Sequence, residues 1–151
     1  MRIVFRWWAA IVFAAVLVQI AFAGYAAFYV VDKVDDPPKT LTSDQVEHGF
    51  NPHSAFGYLV ILLGIVLVPL AFGARVDRMR KKLSVVIAVL LVIQFFLAVL
   101  GWSWAPLGFL HPLNALAIAA VTGMLARIEW RSRPTAATAT ATPGETVVGS
   151  D

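Results

Sequence analysis

The chain contains no cysteine, which removes disulfides, iron–sulfur clusters, thiolate zinc sites and thiol catalysis. Charge is scarce as well. Only 14% of the 151 residues are charged and 60% are hydrophobic, whereas soluble domains carry about 25% charged residues. No stretch remains that could build a soluble domain. The hydrophobic blocks hold no acidic or basic residue, which disfavours ion-coupled transport. They also hold no serine, lysine or carboxylate with an activating partner, which leaves hydrolytic and transferase chemistry without support. A surface enzyme using Glu47 and His48 would rest on one dipeptide.

What the sequence has is length in its apolar runs. Four blocks, about residues 7–31, 55–74, 83–104 and 107–126, each approach the roughly 20 residues that a spanning helix needs. Short links between the second and third and between the third and fourth predict an all-α, up-down-up-down four-helix membrane bundle. Arg2 and Arg6 before Ala21-Phe22-Ala23 imitate a signal peptide, but the apolar run continues to Val31 and is expected to be a retained anchor. All but Lys33 and Lys39 of the 12 basic residues lie near the N-terminus, between Arg75 and Lys82, or from Arg127 onward. That distribution is topogenic rather than nucleic-acid binding, and it predicts both termini in the cytoplasm. Residues 1–133 then form the membrane domain, and 134–151, low in complexity and without large apolar groups, are expected to be a disordered cytoplasmic tail.

The first external loop, Asp32 to Pro52, contains Asp36-Pro37-Pro38, which favours extended chain. Thr42-Ser43-Asp44-Gln45 follows as a capping box for a short surface helix ending near His48. The second external loop is expected around Trp104 to Leu110. Trp7, Trp8 and Trp130 suit one interfacial belt, and Trp102 and Trp104 the other. Pro69 lies inside the second span, where membrane helices tolerate it.

Candidate chemistry gathers at the external end. His53, in Asn51-Pro52-His53-Ser54, and His111, in Leu110-His111-Pro112-Leu113-Asn114, sit at the starts of the parallel second and fourth helices, each next to a proline expected in a first helical turn. A rise of about 1.5 Å per residue, counted from Arg127 and Arg75, puts His111 about 24 Å and His53 about 33 Å above the inner surface, a mismatch of about 9 Å. The same ruler puts Gln19, Gln94 and Asn114 at one depth, about 18–20 Å. Polar side chains in hydrocarbon face the bundle interior, so these amides predict a polar layer just below His111. Gly57 and Gly64 after His53, and Ala115, Ala119 and Thr122 after His111, line the same helical faces. They leave room for a flat macrocycle, or equally let helices pack closely.

Paired imidazoles on facing helices are the chemistry of bis-histidine heme ligation, with Gln19, Gln94 and Asn114 lining the pocket. Glu47 and His48 joining them would instead make a zinc or copper site, although His48 reads first as a solvated residue at a helix end. The same residues also suit a cofactor-free accessory or scaffold subunit of a larger membrane complex, or a small transporter or quinone-binding protein.

With histidines on its second and fourth helices, the chain resembles one four-helix half of the heme A synthase family. It is more closely similar, through Pro52-His53-Ser54-Ala55-Phe56-Gly57-Tyr58 and Leu110-His111-Pro112-Leu113-Asn114-Ala115-Leu116, to small actinobacterial four-helix membrane proteins of uncharacterised function. The resemblance covers about residues 7–128. The synthases carry glutamate and arginine around their second-helix ligand where this chain has Phe50 and Ser54. It implies a bacterial plasma-membrane protein in which His53 and His111 hold heme b and pass single electrons to a redox partner at the outer face. Heme A synthesis, which needs a second heme and a second half, is not implied.

Overall fold

The computed structural model describes residues 1–34 and 40–131. The residues expected as a disordered tail, and the Asp36-Pro37-Pro38 segment, lie outside the described residues. Four helices make up the fold: α1 (Arg2–Val34), α2 (Ser43–Gly73), α3 (Arg78–Ser103) and α4 (Ala105–Arg131). Each is long and apolar enough to cross a bilayer, so the protein is a multi-pass membrane protein. Large apolar side chains stay exposed all round the bundle, Phe28 at 78% and Phe109 at 67% among them. In lipid that exposure carries no hydrophobic cost.

Packing runs around a ring: α1 against α2, α2 against α3, α3 against α4 and α4 against α1. The pairs α1/α3 and α2/α4 therefore face each other diagonally. One end of the bundle gathers Arg2, Arg6, Arg78, Arg80, Lys81, Lys82, Arg127 and Arg131, and it is called the basic end. The other is the histidine end.

Three expectations change. First, the capping box is present, with Thr42 Oγ1 accepting from Gln45 N at 3.3 Å and Thr42 N donating to Gln45 Oε1 at 3.1 Å. The helix it starts does not stop near His48 but runs unbroken through Pro52 into the span. Proline deletes one N–H and frees one carbonyl, a loss a membrane helix tolerates when neighbours support it. Second, the loop expected over Trp104 to Leu110 shrinks to Trp104 alone. Pro106 occupies the first turn of α4, where its missing N–H costs nothing. Pro52 and Pro112 are thus interior prolines rather than first-turn ones. Third, α4 continues past Ala126 to Arg131 and brings Glu129 inside the packed bundle, 8% exposed and ion-paired with Arg80. Arg80 also pairs with Asp77, the N-cap of α3.

The two helical hairpins are pinched near the histidine end. A Cβ on Gly49 would come within 2.7 Å of the Tyr29 ring, and a Cβ on Gly101 within 2.7 Å of Gly108 Cα. The second contact is backbone against backbone, so only glycine fits there. At the basic end, α2 closes in a Schellman motif: Val76 N donates to Ala71 O (3.3 Å) and Arg75 N to Phe72 O (3.1 Å). The left-handed residue this motif requires is Arg75, at φ 49°, where glycine is the usual occupant.

Two substitutions should therefore move stability in opposite directions in detergent-solubilised thermal unfolding. Gly101→Ala, which has no side chain to push aside, should cost about 1–3 kcal/mol. Arg75→Gly should gain about 1 kcal/mol by relieving the left-handed penalty.

Candidate functional site

Each hairpin carries one glutamine on its first helix, Gln19 on α1 and Gln94 on α3, and one histidine on its second, His53 on α2 and His111 on α4. The hairpins run in the same sense, so these residues repeat about an axis along the bundle. Because α2 and α4 are diagonal, the two imidazoles meet across the centre, with ring centroids 6.2 Å apart and planes inclined by 65°.

The expected depth mismatch disappears for a geometric reason. Arg127 is not the end of α4. Counted from the true helix ends, His53 precedes Gly73 by 20 residues (73 − 53) and His111 precedes Arg131 by 20 (131 − 111). Both histidines then stand about 30 Å from the basic end.

The amides do not form one continuous layer. They divide between the hairpins. In the first, Gln19 Nε2 donates to His53 O (2.9 Å) and approaches His53 Nδ1 (3.1 Å), while His53 Nδ1 also lies 3.2 Å from the Gln19 carbonyl. The two contacts at Nδ1 need opposite tautomers. With the proton on Nδ1 the ring donates to the Gln19 carbonyl, and the Nε2 lone pair then faces the Gln19 side-chain amide, whose Nε2 lies 3.4 Å away. In the second hairpin, Asn114 Nδ2 donates to Gln94 Oε1 (2.7 Å) and to Leu90 O (2.9 Å). His111 sits beside the Gln94 main chain, but its buried Nδ1 makes no hydrogen bond of good geometry. Gln19 Oε1 is likewise buried without a partner.

Between the hairpins lies a cavity of about 530 Å³, with His53, His111, Gln19 and Gln94 among its walls. That volume is within the roughly 300–1,000 Å³ of small-molecule and cofactor sites. Most of the remaining wall is apolar, from Val60, Ile61, Leu91, Phe95 and Val99 among others. Asn114 is not part of the wall and reaches the site only by holding Gln94.

The spacing of the two ring centres and the volume of the cavity are compatible with a group held between two imidazoles. A metal–nitrogen bond is about 2 Å, and the nitrogen sits about 1 Å from its ring centre, so two imidazoles that shared one metal ion would have ring centres about 6 Å apart. The donors are neutral-capable imidazoles, and their surroundings are apolar.

The small residues have different roles from one another. A Cβ on Gly57 would meet Gln19 Nε2 at 3.0 Å, and one on Gly64 would overlap Leu91 Cδ1. Both glycines make room for neighbouring side chains, although Gly57 and Ala115 also line the cavity. Ala119 packs against the core, and Thr122 is buried with its hydroxyl donating to Ile118 O at 2.7 Å.

His48 does not join the pair. It lies against Tyr29, with ring centroids 5.8 Å apart. Among the described residues, no three histidine, aspartate or glutamate side chains group as a metal site, so a cluster of Glu47, His48, His53 and His111 does not form. Tyr58 and Phe95 are wall residues that the sequence did not single out, and Trp102, expected only in an interfacial belt, lines the wall as well. Aromatic side chains in apolar spans carry no pattern that separates a cavity wall from a lipid-facing surface.

The family model of DUF6220, described as a family of unknown function, matches residues 19–101. That range includes Gln19, His53 and Gln94 and ends before His111 and Asn114. No curated protein and no solved structure matches the chain.

Asn114→Leu removes the donor that holds Gln94 Oε1 and should destabilise the bundle by about 1 kcal/mol, the typical worth of an interhelical hydrogen bond in a membrane. Asn114→Gln should recover part of that loss in the same thermal unfolding measurement.

Proposed function

The chain belongs to the DUF6220 family of unknown function, and from that premise we propose that it is a heme-holding, cytochrome b-like membrane protein in which His53 and His111 would hold the heme iron. The observation that carries this reading is the meeting of two imidazoles from diagonal helices, 6.2 Å apart, at a cavity of about 530 Å³. Heme b, when bound, supplies a one-electron redox couple. The protein's own residues do the rest. The Gln19 carbonyl would hold the His53 ring through Nδ1, the usual arrangement behind a metal-bound imidazole, and the Gln19 side-chain amide, 3.4 Å from Nε2, would give up that contact to the metal. Asn114 fixes Gln94 beside His111. The apolar wall excludes water.

The positive-inside rule turns the basic end toward the cytoplasm, which places the site in the outer half of the membrane with both termini inside. An electron carrier at that depth would exchange single electrons with a redox partner or a larger membrane complex at the outer face.

A cofactor-free accessory subunit is the second reading. It is favoured by the use of Gly57 and Gly64 to accommodate Gln19 and Leu91, which is ordinary close packing of membrane helices.

An absorption spectrum of purified protein, oxidised and then reduced with dithionite, decides between them. The heme reading expects a low-spin spectrum that His111→Ala abolishes and His48→Ala leaves unchanged. A preparation that stays colourless after expression with supplied hemin would sink it and leave the accessory reading.

A further inference from the structure

The cavity has a mouth, and its position follows from where the helices close on one another. Within each hairpin the helices are pinched shut near the histidine end, at Gly49 against Tyr29 and at Gly101 against Gly108. What stays open lies between the hairpins. On the α2–α3 seam, Gly64 is filled by Leu91 and closes the bundle below the cavity. Above that closure the seam is crossed by an aromatic pair, Tyr58 of α2 and Phe95 of α3, with ring centroids 6.4 Å apart. Both line the cavity, and both are exposed on the outside of the bundle, Tyr58 at 63% and Phe95 at 37%. Val99 and Trp102 continue the same rim toward the histidine end, Trp102 at 77% exposure. From Phe95 to Trp102 the rim rises seven residues (102 − 95), about 10 Å. A tryptophan at its top suits the headgroup interface, so the opening faces the upper acyl region rather than water.

We infer that the cavity is loaded sideways from the bilayer through the α2–α3 seam, by a planar, lipid-dissolved amphiphile that displaces Tyr58 and Phe95. This rests on the reading of the cavity as a macrocycle site and adds the route and the solubility class of what enters. The seam is chosen over the α1–α4 side because α2 and α3 supply most of the cavity wall. The two aromatic rings are the natural barrier. They are side chains, free to rotate, where the seals at Gly101 and Gly64 are backbone or buried packing.

The absence of native cysteine allows a direct test. Tyr58→Cys and Phe95→Cys are introduced together in the full chain, the protein is placed in lipid nanodiscs, and the pair is bridged with a cleavable bismaleimide. Two probes are supplied from donor vesicles: hemin, read by absorption, and metal-free protoporphyrin, read by energy transfer from tryptophan. The unbridged double variant serves as the folding control. Bridging should slow uptake of either probe at least tenfold, and cleavage of the bridge should restore it. A bridge between Ala23→Cys and Leu116→Cys, on the α1–α4 side, should leave the rate unchanged. If the Tyr58/Phe95 bridge does not slow uptake, or the Ala23/Leu116 bridge slows it equally, the lateral route is overturned while the heme reading stands. Entry of the metal-free macrocycle without a low-spin hemin spectrum would overturn the heme reading and support the mouth. Uptake of neither probe by the unbridged protein would overturn both.

Discussion

Every polar group inside this bundle has to find its partner without water, and that constraint explains most of what the structure does with its few polar residues. A backbone amide or side-chain group left unpaired in hydrocarbon costs several kcal/mol. Four long helices settle the backbone. Most of the side chains are settled locally, His111 Nδ1 and Gln19 Oε1 being the exceptions at the cavity: Thr122 bonds back to its own helix, Asn114 takes Gln94, Gln19 takes His53, and Arg80 takes Glu129. Three of these pairings tie one helix to the next around the ring: α1 to α2 once, and α3 to α4 twice. Polar contacts thus reinforce the hairpins, while the hairpins meet each other through apolar packing such as Leu91 against Gly64 and Phe13 against Gly123.

That division of labour is what leaves a cavity. Hairpins stitched by amides and pinched by glycines keep their own helices close at the histidine end. Among the described residues, no comparable hydrogen bond joins α2 to α3 or α1 to α4 at the level of His53 and His111. The hairpins are free to stand apart there while the basic end stays closed by Trp7 against Trp130, Arg80 with Glu129, and the buried side chains of Phe5 and Leu125. A wedge that is tight at one end and open at the other is the simplest shape consistent with these contacts.

The sequence made the fold legible because a spanning helix announces itself by length and hydropathy alone, and all four did. Boundaries were harder. Pro52 and Pro112 looked like first-turn prolines because soluble helices seldom keep one inside, but a membrane helix tolerates one where neighbouring groups re-satisfy the freed carbonyl, and both helices ran on. The site was half legible. Gln19, Gln94, Asn114, His53 and His111 were picked out as the rare polar residues in apolar spans. Their pairing was not, because a depth ruler gives height and says nothing about which helix faces which. The 9 Å error in relative height came from counting from charged residues instead of helix ends: about 6 Å from Arg127, where the buried pair of Glu129 with Arg80 lets α4 continue another turn, and about 3 Å from Arg75, which lies two residues past the end of α2. A charge that would normally mark the end of a span is hidden inside it by its partner.

The two-fold relation between hairpins also says what kind of site this can be. One imidazole comes from each hairpin, so neither hairpin holds the site by itself, and anything bound between His53 and His111 bridges the interface that has the fewest polar ties. Binding there adds its free energy to the assembled bundle and not to the separate hairpins. The open end is therefore the part of the bundle that a ligand would stabilise most. A cavity placed at the weakest seam, with its best donors facing each other across that seam, links occupancy to the closure of the bundle. A cavity within one hairpin, walled by two helices already joined by Gln19 and His53 or by Gln94 and Asn114, would have no such leverage.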